Sequence, residues 1–480
     1  MKAVILLVIM ANILFANVKK VTLEEAISIA LENNKQSKIS KLALDVAHAQ
    51  YQQALSANYP TLNAMFVGQR QKQDRLFEMK GDITLPADTA KSLAMVNLML
   101  NNNMDVATAR ATVNGLPAGA FANSTLALDT DVKAYGRDTV KGSINLQYPI
   151  YTGGKISSII EQAKLNKLLA LNTVKREDSN VVFDTKKYFY GYVLTNELHK
   201  IAKSTLDRMI YVQDLTKTFY ESGDSLNVKK TDYLSVQVTV ALIESIVAKL
   251  EANKVLVKSA LINSMGLPWN SDIDVKYTAK LVPPNYTLAS LVEQAYKTNS
   301  DITKMDIALR ISKEQIKEKQ AGHYPTLAFL ADVSHTYNSY EYGFLSDDQE
   351  NSWSIGFAAN LPLFDGFKTT NEVNEKRIEK KKMYLMQDML KEGIALQVKN
   401  ELSNALIGFK QIKTLKKAKK IAKENRKLNI RGYQIDAIEP EDVIQAQYIE
   451  AYVKADYLKY VHDYLISLAK IDKLIGKEFK

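Results

Sequence analysis

Hydrophobic and polar residues follow two different periods along this chain. Between Lys155 and Ser222, and again between Phe367 and Arg431, apolar residues return every three or four positions, as at Leu206, Met209, Val212, Leu215 and Phe219. The last stretch repeats the spacing with Leu458, Val461, Leu465 and Leu468. Such narrow stripes predict long helices packed side by side as in a coiled coil. No proline interrupts the two long stretches, and only Gly191, Gly393 and Gly408 fall within them. At about 1.5 Å per residue, each predicted helix reaches roughly 100 Å.

Elsewhere the period is two. Leu327, Phe329, Ala331, Val333 and Tyr337 alternate with Ala328, Asp332, Ser334, Thr336 and Asn338. Trp353, Ile355, Phe357, Ala359, Leu361 and Leu363 alternate with Ser354, Gly356, Ala358 and Asn360, and Ile144, Leu146, Tyr148 and Ile150 alternate with Ser143, Asn145 and Gln147. Segments of about ten residues with this alternation and aromatic ends predict transmembrane β-barrel strands. Leu62 to Arg70 is the weakest of the four, because Met65 and Val67 interrupt its polar face. Pro60, Pro149, Pro325 and Pro362 bracket these segments.

The pattern is written twice. Thr22-Leu23 opens a helical segment that ends in Tyr59-Pro60-Thr61-Leu62, and Thr287-Leu288 opens another that ends in Tyr324-Pro325-Thr326-Leu327. One constant shift also aligns Ala30 with Ala295, Asn34 with Asn299 and Ala43-Leu44 with Ala308-Leu309. Pro149-Ile150-Tyr151-Thr152-Gly153 corresponds to Pro362-Leu363-Phe364-Asp365-Gly366, Asp232 and Gln237 to Asp442 and Gln447, and Gly266 to Gly476. The expected organisation is a signal peptide over 1–16, a first repeat over 17–267 with hairpin strands at about 60–72 and 139–151, a linker over 268–286, and a second repeat over 287–480 with hairpin strands at about 325–338 and 352–364. The signal reading rests on Lys2, the apolar run from Val4 to Leu14, and Ala16 at the cleavage point.

Four strands cannot close a membrane barrel, which needs about eight or more, and open edges in lipid cost several kcal/mol per unpaired group. Two copies would give a filled eight-strand barrel, and three would supply twelve strands and room for a lumen. The order of helix, Tyr-Pro-Thr-Leu, hairpin, Pro-to-Gly turn, long helix, and the Asp442-Val443-Ile444-Gln445-Ala446-Gln447 helix resembles the TolC outer-membrane efflux family over nearly the whole chain beyond the signal. Its most specific pieces are Tyr148 to Gly154, Tyr324 to Leu327, Leu361 to Gly366 and Asp442 to Gln447.

The resemblance implies a mixed α and β fold, a tandem repeat whose long coiled-coil-like helices form a periplasmic barrel and whose four transmembrane β-strands per protomer join a shared trimeric β-barrel. It implies an outer-membrane channel subunit of a tripartite efflux or type I secretion system. Such a subunit is a passive homotrimeric duct from periplasm to exterior, set in outer-membrane lipid and gated at its periplasmic tip. Its partners would be a periplasmic adaptor (a membrane fusion protein) and an inner-membrane pump. The resemblance places gate and adaptor contact at two interhelical turns, with Tyr220, Gly223, Thr231, Asp232, Tyr433, Asp436, Glu439, Glu441 and Asp442 as site residues. The chain departs from the family at Asp436, where glycine is typical, at Ile438, where well-known members have a basic residue, and at Gln445, where they have a luminal carboxylate.

Composition narrows the alternatives. The chain has no cysteine, which excludes disulfides, thiolate chemistry and an acylated cysteine anchor. The five histidines show no metal-ligand spacing, no phosphate loop or dinucleotide fingerprint occurs, and neither catalysis nor a cofactor is expected. The net charge of +10 is spread among almost as many acids, so it describes a solvated surface, and nucleic acid is not an expected partner. Lys413, Lys416, Lys420, Lys423 and Lys427 form one basic helical stripe, read as a solvated face. The first hairpin loop, about 71–138, exceeds the second by roughly fifty residues and carries Leu93, Met95, Val96, Leu98, Met99 and Leu100, read as a short packed helix. No stretch beyond the signal offers ~18 unbroken apolar residues. A periplasmic coiled-coil adaptor or scaffold is the competing reading; it accounts for the helices and leaves the four amphipathic strands without a use.

Overall fold

The computed structural model describes residues 19–73, 75–117, 119–222, 228–277, 281–338 and 351–477. The expected signal peptide and Gly223 lie outside them. In chain order the first repeat runs β1 (Lys19–Val21), α1 (Leu23–Asn33), α2 (Lys35–Ser56), β2 (Thr61–Arg70), β3 (Arg75–Leu85), α3 (Ala87–Asn101), α4 (Val106–Asn114), β4 (Ser124–Tyr135), β5 (Asp138–Tyr151), α5 (Lys155–Ser222) and α6 (Lys230–Ser264). After β6 (Ile273–Val275), the second repeat runs α7 (Leu288–Thr298), α8 (Ser300–Gln320), β7 (Thr326–Asn338), β8 (Asn351–Asn360), α9 (Lys368–Gln434) and α10 (Pro440–Leu474). The chain divides into a helical unit, through Ser56, Gly154–Gly322 and from Phe364 on, and a strand unit, Ala57–Gly153 and His323–Leu363.

In the helical unit the two repeats close by the same device. Each short helix pair breaks at an asparagine: Asn34 between α1 and α2, Asn299 between α7 and α8. Each asparagine caps the second helix, with the Gln36 N–H donating to Asn34 and those of Asp301 and Ile302 to Asn299. Each side-chain amide then donates across the unit, Asn34 to the Ser264 carbonyl at 2.8 Å and Asn299 to the Leu474 carbonyl at 2.9 Å. Gly266 and Gly476 end α6 and α10 with φ of +68° and +58°. A side chain there would meet the Asn33 and Thr298 carbonyls as well as adopt a left-handed backbone, so both positions require glycine. Thr22 opens α1 through a reciprocal bond pair with Glu25, and Thr287 opens α7.

Apolar stripes fill four cores among the described residues, the smallest around Ala405, Ile412 and Tyr464. Val21, Ala30, Phe189, Leu261 and Met265 form one, and Leu291, Ala295, Val398, Ile471 and Leu474 its counterpart. Met209, Val212, Val236, Val240, Val443 and Ile444 form a third toward the interhelical turns. α6 is, by length and composition, apolar enough to cross a membrane, with mean hydropathy 1.5 over its most apolar stretch. Gln237 and Glu244 break the run, so it contains no unbroken apolar stretch of membrane length. Leu234, Val238, Leu242 and Ile246, one turn apart, are exposed along α6.

In the strand unit, β2, β5, β7 and β8 form one antiparallel sheet in the order β2-β5-β7-β8. The run expected to extend to about residue 364 stops at Asn360, paired with Thr326, two residues before Pro362, which has no N–H to give a ladder. The first hairpin's long loop differs from the expected single helix. β3 and β4 pair as a further antiparallel ribbon, and the connection between them contains α3 and α4. Ala109 and Val113 of α4 are buried, while Leu93, Val96 and Leu100 of α3 are exposed. The stretch read as a linker contributes β6, which pairs in parallel with β1.

Candidate functional site

The sheet has two chemically distinct faces, set by its register. One row runs Ala64, Ile144, Val333 and Trp353, the next Leu62, Leu146, Ala331 and Ile355, and a third Tyr148, Phe329 and Phe357, with the two phenylalanine rings 5.4 Å apart. The opposite face is mainly polar: Asn63, Asn145, Asp332 and Ser354 lie between the first two rows, and Ser143, Ser334 and Ser352, with Met65 as the exception, lie beyond the first. The Ser334 and Ser352 hydroxyls are bonded at 2.8 Å. The apolar face is uncovered, with Phe66 82%, Trp353 75% and Phe357 71% exposed. β2 and β8 each pair on one side only among the described residues.

The α9–α10 turn is built from the sequence upward. The Asp436 N–H donates to the Tyr433 carbonyl and the Ala437 N–H to the Gly432 carbonyl, closing α9 with a Schellman-type cap. That cap needs a left-handed residue, and Asp436 supplies it at φ +56°. A short carboxylate is among the few side chains besides glycine that tolerate this conformation. Ile438 folds back over Gly432 into the apolar cluster, so its place is a packing position here. Pro440 is the first residue of α10, the Glu439 side chain makes no capping bond, and Glu439, Glu441 and Asp442 are exposed.

Tyr433 is buried, its ring edge-on to Phe219 and its hydroxyl 2.6 Å from that of Thr216 on α5. Burial raises its pKa, against the Thr216 bond. Across the tip, Tyr220 stacks on Tyr233, ring centroids 6.2 Å apart. Asp232 accepts the Lys229 N–H at 2.8 Å and so starts α6, with exposed Thr231 beside it. The structure therefore joins Tyr433 to α5, gives Asp232 and Asp436 helix-end roles, and leaves Thr231 and the three acids around Pro440 at the surface.

Sequence reasoning missed a buried charge cluster. Glu450 of α10 is 0% exposed, with Arg426 Nε of α9 at 2.9 Å, Lys454 Nζ at 2.7 Å and Arg208 Nη2 of α5 at 3.6 Å. Arg208 also donates to the buried Gln447 Oε1 at 2.9 Å. Burial works to raise the Glu450 pKa, but the bonds and charges of Lys454 and Arg426 bring it below the ordinary glutamate value. Burial lowers that of Arg208. The available signal was Gln447, Glu450 and Lys454 at helical spacing among core positions. The five lysines of the α9 stripe are all exposed.

Comparison with known proteins agrees with this architecture. The family model Outer membrane efflux protein matches residues 291–477. Outer membrane protein TolC of Escherichia coli (strain K12) is 21% identical over 195 residues, covering 39% of this chain and 40% of TolC. The matched stretch thus spans less than half of that relative. The Campylobacter jejuni CmeC outer membrane channel superposes with a TM-score of 0.73 at 14% identity, over 95% of this chain and 86% of CmeC. The outer membrane protein VceC of Vibrio cholerae gives 0.71 at 14% identity, over 95% and 97%. The second half of the chain thus matches the outer membrane efflux protein family model in sequence, and the whole chain shares the fold of the outer-membrane channels CmeC and VceC.

Proposed function

We propose that the chain is the outer-membrane channel subunit of a tripartite efflux or type I secretion system, a passive trimeric duct from periplasm to exterior. The observation that carries this is the four-stranded sheet with one uncovered apolar face, one polar face and two open edges. Lipid is the environment that suits the apolar face, and it forbids open edges. Joining β8 of one copy to β2 of the next satisfies both, and three copies give twelve strands around a polar lumen. The exposed α6 stripe fits the same assembly, because a neighbouring copy would cover it. An adaptor or scaffold would have no such use for the sheet.

The gate is the helical tip, with Tyr220, Gly223, Thr231 and Asp232 on one turn and Tyr433, Asp436, Glu439, Glu441 and Asp442 on the other. The Tyr433–Thr216 bond holds the second hairpin to α5, and the surface residues meet a periplasmic adaptor that connects to an inner-membrane pump. The mass of the protein in detergent tests the assembly: a trimer is expected, and a detergent-free monomer would overturn the duct. Cysteines placed singly at Thr231 and Glu439 should crosslink to the adaptor in cells.

A further inference from the structure

The tip has a second fastening beyond the Tyr433–Thr216 bond. Ten residues from the start of α10, about 15 Å along the helix, the Glu450 carboxylate lies where α5, α9 and α10 meet. Arg208, Arg426 and Lys454 converge on it, three cations on one carboxylate. We propose that Glu450 is a positioning residue of the gate: it clamps the α9–α10 hairpin to α5, and the tip opens only when that clamp is released. This rests on the gate reading above.

The argument is electrostatic. With the carboxylate gone, three partly buried cations would face one another, where their repulsion is less screened than in bulk water. The helices that carry them would separate. The other charged groups nearby do not replace Glu450. On α5, Asp207 lies near Arg208 but is exposed. On α9, Lys416, Lys419 and Lys423 add further positive charge beside Lys454. The α6 side chains buried in the adjoining cluster, Val236, Val240 and Ile243, are uncharged. Because the Glu450 pKa is lowered in the fold, its stabilisation is present above the ordinary carboxylate range and lost as pH falls through the lower folded value. The clamp therefore holds at neutral pH and releases only as pH falls through a folded value below the ordinary glutamate range.

The test is conductance of the purified channel in planar bilayers, comparing wild type, Tyr433→Phe, Glu450→Gln and Arg426→Gln. Glu450→Gln should raise conductance severalfold at neutral pH and abolish the further rise that wild type shows on acidification. Arg426→Gln should raise it less, since Lys454 and Arg208 remain on the carboxylate, and it supplies the answer if Glu450→Gln does not assemble. Thermal melting of each assembly checks folding. If Tyr433→Phe conducts more than wild type while both cluster variants behave as wild type, the cluster is only structural and the proposal is overturned. If wild type and every variant fail to conduct, the duct reading falls and takes the clamp with it.

Discussion

The strand unit and the helical tip invert one another. The sheet leaves Phe66, Trp353 and Phe357 uncovered, whereas the tip buries the Glu450 carboxylate and the Tyr433 hydroxyl. In a protein surrounded by water both would be costly, since apolar surface favours burial and buried charge needs partners. The difference teaches that the two regions have different surroundings and different tasks. On the proposed function, the sheet would be finished by what lies outside the protomer, lipid and two more copies. The tip is finished from within, by directional bonds that tie one hairpin to α5 and can be broken one at a time.

The largest expected effect breaks the sheet side of this comparison. Phe357→Lys puts a charge on the apolar face and should cost about 2–4 kcal/mol near mid-membrane, seen as lost assembly in the outer membrane. Ser354→Lys, on the polar face of the same strand and opposite Asp332, should assemble nearly as wild type. Equal tolerance would mean that the faces are assigned the wrong way round.

Next come the two seams of the helical unit. Gly476→Ala forces a side chain into a left-handed residue against the Thr298 carbonyl, and Gly266→Ala does the same at Asn33. Each should lower stability by at least about 1 kcal/mol, read as a drop in Tm of the assembled protein. Similar drops would show that the two repeats close equivalently. Tyr433→Phe should follow at about 0.5–1.5 kcal/mol for one buried bond, with conductance rising more than stability falls.

Much of this architecture was legible because periodicity is a local signal. The α5 stripe from Leu206 to Phe219 and the alternation from Leu327 to Tyr337 need no knowledge of neighbours to be read. The β3–β4 ribbon escaped because Gly81 and the charged residues around it blur the alternation, and the methionines of α3 drew attention to a helix alone. At the tip, residue types and turns could be read but bonds could not. Tyr433 and Thr216 are 217 positions apart, and Arg208 and Gln447 are 239 apart. A buried glutamate on a helix looks like any other glutamate until the helices around it are placed.

The smallest expected effect sharpens the tip side, where the acids around Pro440 carry two separable roles. Glu441 and Asp442 lie in the first turn of α10, where negative charge complements the helix dipole by about 0.3–1 kcal/mol. Glu439 precedes the proline, is exposed and caps nothing with its side chain. Glu441→Gln and Asp442→Asn should therefore each lower Tm slightly, whereas Glu439→Gln should leave it unchanged. Threefold repetition would turn Glu439 into a ring of three carboxylates, and such rings set the local field for passing ions. Glu439→Gln should then reduce cation preference in a planar bilayer, and the difference from wild type should shrink as salt screens it. A variant with unchanged Tm and unchanged selectivity would place Glu439 away from the lumen and leave the adaptor as the reason for its exposure.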